Sequence, residues 1–541
     1  MSKALASFSA PLLLGTCLGF LSASSAQAQA GQANPTVIRE VKHDVSPPLR
    51  SLGPSFQASA AADRQALVAR PTGPARTNSQ PDPFAQQVTA PLSGVSTILN
   101  FDGQSANDNR NLLGFAFVPP DTNGAVGATQ FVQIVNVTYA VYDKKTGALV
   151  LGPALIHTVW SGFGGPCEEA GDGGDPVVLY DQLAGRWLVS QLQFNSTFTN
   201  FQQCIAVSTT SDATGSYNRY EFDFGANLPD YPKFGVWPDA YYYTANTFAP
   251  FGGTFRFLGA QACAFDRAAM LAGSSASKIC FQNPPSIASL LPSDLDGSTL
   301  PPAGQPNFFV DIADSSDLNI FQFHVDFTTP ANSTFTGPVL IPVAPFTEIC
   351  ARAIALACIP EPPPGERVDG LGDRLMFRLA YRNFGDHESL VVNHTIKGGA
   401  LAGVRWYEIR SPGSSPAVFQ QGTVVDPDTN FWMGSIATDK AGNIALGFSA
   451  SSHELDPSVF LVGRAPSDPA GTMAGPTVLV NGGGVQERSF KRWGDYSSMA
   501  LDPNDDCTFW YTQEYYKTTG RFNWSTRISA FKFDSCKANG K

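Results

Sequence analysis

Charge is scarce in this chain. Asp, Glu, Lys and Arg together make up 15% of 541 residues, too few for an architecture of long solvated helices. Cations are the rarer sign, 35 Lys and Arg against 46 Asp and Glu, which gives a net charge of -11. A net acidic surface draws in neither nucleic acid nor an anionic membrane, so neither is expected as a partner. Beyond the first thirty residues no apolar run reaches about eighteen residues, and no transmembrane segment is expected. G-x-S-x-G, H-E-x-x-H and P-loop patterns are all absent, which removes the serine hydrolase, zincin and NTPase readings. There is no C-x-x-C, and no cysteine lies near a histidine at zinc-ligand spacing.

What the chain does have is 11% aromatic residues, 50 Gly and 41 Pro, the composition of many short strands joined by turns. The stretch from Arg492 to Pro503, continued by Cys507 to Tyr516, reads as an acidic loop, a buried strand, an Asp-Pro turn and an aromatic strand. Weaker copies begin near Asp121, Asp175, Trp237, Asn307, Asp373 and Trp432, roughly 55 to 70 residues apart, the spacing of propeller blades with long loops. The expected fold is all-β, a seven-bladed β-propeller of four-stranded antiparallel blades over residues 94–541. Six or eight blades stay open because the copy at Asn307 diverges most. The last copy supplies three clear strands, and Val95 to Phe101 has the length and β-branched content to add the fourth and close the ring.

Residues 1–28 read as a secretory signal, with one early Lys, an apolar core and an Ala-Gln-Ala cleavage region. Residues 29–93, rich in Ala, Gln and Pro, read as a flexible or loosely docked leader whose removal up to Ala90 should be tolerated. An exported chain with eight cysteines after the signal favours disulfides. Neighbour pairing gives Cys167-Cys204, Cys263-Cys280, Cys350-Cys358 and Cys507-Cys536. The expected location is secreted, periplasmic or at the cell surface, as a monomer.

Asp121, Asp175, Asp373 and Asp495 fall where innermost strands begin, with Trp237, Trp432 and Trp493 close by. Carboxylates and indoles around one channel mouth suit a sugar or a cation. The alternative is that the aspartates cap strand ends in Asx turns. Asp426, Asp428 and Asn430 place oxygen side chains at alternate positions, as at the start of a calcium loop, and calcium is the cofactor considered. Arg378, Tyr381, Arg382, His387 and His394 crowd one repeat, and a His base, a Tyr acid and Arg partners for a uronate would serve a polysaccharide lyase. Bridging between blades is the structural alternative.

Ser208 to Tyr217 is similar to the Asp-box hairpin of sialidase-type propellers. Trp432 to Ser449 and Arg492 to Tyr516 resemble a group of exported bacterial propeller proteins, mostly without assigned activity. The resemblance implies a propeller over most of residues 94–536. Sialidase activity would require an arginine cluster, a Tyr/Glu nucleophile pair and an Asp acid, and no Arg-Ile-Pro segment is present. Three functions remain: a propeller binding a glycan or protein ligand outside the cell, a carbohydrate-active hydrolase or lyase, and a structural surface component.

Overall fold

The computed structural model describes residues 34–53, 64–65, 70–71, 75–88, 91–169, 173–351, 357–488 and 491–536. The signal expected at 1–28 lies outside the described residues. The fold is all-β and propeller-like, built from antiparallel meanders. The first contains Asn123–Val126, Gln130–Val135, Thr138–Asp143 and Leu149–Leu155, and the second Val177–Asp181, Arg186–Phe194, Phe201–Ser208 and Tyr217–Gly225. The third contains Leu228–Val236, Tyr241–Phe251, Thr254–Phe265 and Ser277–Gln282, and the fourth Leu291–Asp296, Asn307–Ile312, Asp317–His324 and Thr334–Pro342. Met376–Asn383, Glu388–Lys397, Ala402–Arg410 and Ala417–Val425 make the fifth; Asn430–Thr438, Ile444–Ser451, Ser458–Arg464 and Ala474–Val480 make the sixth. The last sheet pairs Ser498–Leu501, Thr508–Tyr515 and Ser525–Phe533 with the early strand Val95–Ser105, in register from Phe533 opposite Val95 to Ser525 opposite Ser105. The pairing expected for the early strand is therefore present.

The first strand of each meander lies against the first strand of the next, and that of the seventh lies against that of the first. Each sheet is thus covered on both faces, which is why strands such as Phe201–Ser208 are buried at every position instead of alternating. Small residues let neighbouring sheets approach. A Cβ added at Gly447 in the sixth meander would collide with the Tyr511 ring of the seventh.

Two repeats begin earlier than the sequence indicated. The third starts at Leu228 instead of Trp237, and the fourth at Leu291 instead of Asn307. Both first strands contain proline, which removes a ladder donor and reads as a turn. The chain accommodates Pro229 and Pro232 with a bulge between Asp230 and Lys233. After Leu291 and Pro292, which pair within their own meander, Ser293–Asp296 turns to pair in parallel with Leu379–Arg382 of the fifth.

The leader is not loose where it is described. Thr36–Arg39 adds a strand beside Ser277–Gln282, Lys42–Val45 beside Tyr217–Gly225, and Ala85–Gln87 beside Ala417–Val425. Those three outermost strands have no internal proline, so their edges would otherwise offer continuous unpaired N–H and C=O groups. Among the described residues, the outermost strands of the first, fourth and sixth meanders receive no added strand. Each carries a Gly-Pro pair instead, at Gly152-Pro153, Gly337-Pro338 and Gly475-Pro476, together with a register shift. Proline and a bulge blunt an edge from within, whereas the leader covers it from outside.

All four neighbour-paired disulfides are formed, with Cα–Cα distances from 4.1 to 5.8 Å. They suit an oxidising, extracellular compartment. No helix among the described residues is long and apolar enough to cross a membrane.

One buried group sets a pH dependence. Asp311, in the second strand of the fourth meander, is 2% exposed, and its Oδ1 finds no hydrogen-bond partner among the described residues. Burial pushes its pKa up to about 7. The folded state therefore holds this proton more tightly than the unfolded chain does. Its contribution is full below the unfolded value near pH 4 and is lost as the pH rises to about 7. Asp311→Asn keeps the shape and removes the charge. It should flatten the fall in urea midpoint between pH 5 and 8 and gain about 2–4 kcal/mol at pH 8. An unchanged slope in the variant would assign the pH dependence to other groups.

Candidate functional site

The starts of the first strands bring together acidic groups from separate meanders. Asp121 precedes the first meander, Asp175 the second and Asp495 the seventh. The Asp495 backbone N–H donates to Asp121 Oδ1 at 2.7 Å, and Asn136 Nδ2 donates to Asp121 Oδ2 at 2.7 Å. The Asp175 N–H donates to Asn136 Oδ1 at 3.0 Å, so one asparagine joins the two aspartates. Asp121 and Asp175 are held at φ of 47° and 48°, left-handed values that non-glycine residues rarely adopt.

Tyr231, at φ 60°, stands at the matching place in the third meander. Its N–H donates to Asp175 Oδ2 at 2.9 Å, while its hydroxyl finds no partner among the described residues. Lys233, fully buried, lies with Nζ 3.5 Å from the centre of the Tyr231 ring and 3.9 Å from that of Tyr496. Burial drives its pKa down to about 8, against the pull of Asp175, Asp495 and Asp121.

Arginines complete the cluster. Arg374 donates to both oxygens of Asp373 at 2.9 Å, and its guanidinium lies over the Tyr231 ring at 4.6 Å. Arg492 pairs with Asp369 at 2.9 Å and with Asp495. Two leader arginines reach the same place: Arg70 pairs with Asp369 at 2.6 Å, and Arg76 donates to the Asp373 carbonyl at 2.9 Å.

The carboxyl groups are pulled in opposite directions. Burial, reinforced by Asp495 and Asp175, pushes Asp121 well above the ordinary carboxylate range. Asp495 is buried too, yet Arg492, Arg70 and Arg374 hold it below that range, and Arg374 does the same for Asp373. Neighbouring carboxyl groups are thus biased in opposite directions, Asp121 towards its proton-bearing form and Asp495 and Asp373 towards the charged one.

The indoles are not part of this cluster, which is itself largely buried. Trp237, Trp432 and Trp493 are at most 1% exposed. Trp237 packs on Tyr381 and donates to the Gln305 carbonyl, and Trp493 packs on Trp432 and donates to Ser449. Trp237 follows the end of the first strand of the third meander, Leu228–Val236, while Trp432 and Trp493 lie by strand starts, and all three pack into the sheet interfaces.

The five residues of the fifth repeat do not converge. Arg378 is engaged by Asp294 at 2.8 Å and Asp296 at 2.6 Å, and Arg382 by Asp506 at 2.5 Å. Tyr381 donates to Glu388 at 2.6 Å. His387 pairs with Asp386 near the surface, whereas His394 is buried beside Tyr407 and Phe346 with burial holding its pKa well below the ordinary value. Alternation along Met376–Asn383, with His387 in the turn and His394 inside Glu388–Lys397, sends them to different surroundings: Arg378 and Arg382 bridge to other meanders, whereas Tyr381, His387 and His394 are hydrogen-bonded within the fifth. The proposed calcium set separates as well. Asp426 accepts from the Asp428 N–H in an Asx turn, while Asn430 accepts from the Ala402 N–H inside the sheet. Among the described residues, no three His, Cys, Asp or Glu side chains are grouped to hold a metal ion.

Sequence reasoning missed Tyr231, Lys233, Arg374, Arg492 and Asp369. The spacing of about 55 residues from Asp121 to Asp175 continues to Tyr231 and could have found the first two.

No protein-family model matches the sequence, and no curated protein does either. Among solved structures, the chain is similar to the polysaccharide lyase Uly1, with a TM-score of 0.36 and 12% identity, covering 82% of this chain and 100% of that one. The α-L-arabinofuranosidase Arb93A of Fusarium graminearum gives 0.32 and 9%, covering 82% and 99%. Drosophila semaphorin 1b, extracellular domains 1–2, gives 0.34 and 8%, covering 82% and 88%. Overlaps this slight transfer no activity.

Proposed function

We propose that the chain is an exported seven-bladed β-propeller whose cluster at the starts of the first strands binds a hydroxyl-rich extracellular ligand, a glycan foremost. The cyclic order of first-strand neighbours and the completion of the last sheet by Val95–Ser105 support the blade count. The observation that carries the function is the meeting of Asp121, Asp175 and Asp495, from three meanders, beside Lys233 and Arg374. Sugar hydroxyls both donate and accept, and the carboxyl, ammonium and guanidinium groups of this cluster are partners for both. Asp121→Asn combined with Asp175→Asn should lower glycan affinity on an array or by calorimetry at least tenfold while the melting temperature stays within a few degrees. Undiminished binding with a large loss of melting temperature would make the aspartates structural.

The opposed shifts of Asp121 and Asp495 favour a second reading, a carbohydrate-active hydrolase or lyase with Asp121 as the proton donor. Release of reducing ends or of ultraviolet-absorbing uronides from a polysaccharide panel, abolished in Asp121→Asn, would select that reading over plain binding.

A further inference from the structure

We propose a second ligand site, separate from the cluster above, in the cleft between the fifth and sixth meanders, where it takes a carboxylate-bearing sugar unit. The cleft lies on the face where the first strands end and has a volume of about 400 Å³. That is within the range of small-molecule pockets. Its walls come from the turns around Phe384 and His387 and the residues Glu408, Arg410 and Phe419 in the fifth meander, and from Lys440 and Arg464 in the sixth.

Three cations, Arg410, Lys440 and Arg464, face three carboxylates, Asp386, Glu408 and Asp468, but they are not matched pair by pair. Glu408 is engaged by Arg410 Nε at 2.7 Å and Gln420 Nε2 at 2.5 Å, and Asp386 by His387 at 2.7 Å. Asp468 accepts from the Ala465 N–H at 2.7 Å. Arg464 is 4% exposed, yet it forms no ion pair among the described residues. Its Nη2 reaches only the Asp468 carbonyl at 2.9 Å, and its Nε has no partner among the described residues. Lys440 likewise forms no ion pair among the described residues. Glu408 and Asp468 lie near enough to attract Arg464 without bonding to it, and a buried guanidinium lacking a hydrogen-bonded carboxylate is costly, its planar fork being shaped for one.

Two flat apolar faces flank these cations. Phe384 stacks with His387 at 4.7 Å, and Phe419, 53% exposed, lies under the Arg410 guanidinium at 3.4 Å. Aromatic faces take the apolar side of a sugar ring, and Glu408, Asp386 and Asp468 can accept its hydroxyls. The same three carboxylates oppose a densely charged phosphate or sulfate, so a singly charged uronate fits the balance best.

The test is calorimetry at low salt with trigalacturonate, the glucuronate trisaccharide and the methyl ester of each. The expected result is saturable binding of at least one acid, at least tenfold weaker binding of its ester, and a loss of fivefold or more in both Lys440→Ala and Phe419→Ala. Both variants alter side chains that are not fully buried, so folding should persist. In the Asp121→Asn, Asp175→Asn background the two cleft substitutions should cost the same factors, which keeps this site distinct from the one at the strand starts. No binding of either acid at millimolar concentration, equal binding of acid and ester, equal competition by inorganic sulfate, or indifference to both cleft substitutions would each overturn the proposal.

Discussion

Removing the leader up to residue 90 is expected to turn a single species into one that associates, with a melting temperature lowered by many degrees. Three outermost strands, Tyr217–Gly225, Ser277–Gln282 and Ala417–Val425, would lose their added neighbours and present long proline-free edges. The truncation also strands buried cations. Arg405, fully buried, pairs with leader Asp82 at 2.6 Å, and Arg219, 1% exposed, pairs with leader Asp44 at 2.6 Å. Leaving one such charge without its partner costs about 3–5 kcal/mol. This reverses the tolerance expected from the leader's composition. Light scattering on the eluted protein and a thermal melt check it. A shortened chain that scatters as one species of the same order as the full chain and melts as before would show that the added strands protect nothing.

Arg378→Met should be the most damaging single substitution among the buried ion pairs. The guanidinium holds Asp294 and Asp296 of the fourth meander and the Met499 carbonyl of the seventh, so its loss leaves two adjacent buried carboxylates unpaired. The expected cost is about 3–5 kcal/mol in chemical denaturation. Adding Asp294→Asn and Asp296→Asn to the same chain should recover most of it, since the amide oxygen placed at position 294 can still accept from the Val236 N–H that now meets Asp294 Oδ1 at 2.9 Å. A triple variant as unstable as the single one would mean that packing of the arginine stem, and not charge, carries the effect.

The strand grammar of this chain was legible wherever turn residues and alternation agreed. The seventh repeat, the early strand that completes it and all four disulfide pairings followed from local pattern and neighbour spacing. Proline hid two first strands, because Pro229, Pro232 and Pro292 read as breakers unless a bulge or a change of partner is known. The leader strands were hidden by the opposite weakness. Lys42–Val45 has no apolar face of its own and is ordered by the edge it meets. At the candidate site the aspartates recurred visibly, but the direction of an indole and the partners of Arg378 depend on contacts between meanders, which no local period records.

The leader strands also impose an order of assembly. Lys42–Val45 must wait for Tyr217–Gly225, Thr36–Arg39 for Ser277–Gln282, Ala85–Gln87 for Ala417–Val425, and Val95–Ser105 for Ser525–Phe533. Each of these early segments is therefore placed only after a strand synthesised much later, and each closes a loop of well over a hundred residues when it is. Until its own partner appears each early segment travels with backbone donors and acceptors exposed, and Val95–Ser105 does so until the final strand. Wrong pairing with a neighbouring chain is the competing outcome throughout that interval, and its length is set by how fast the last sheet is delivered.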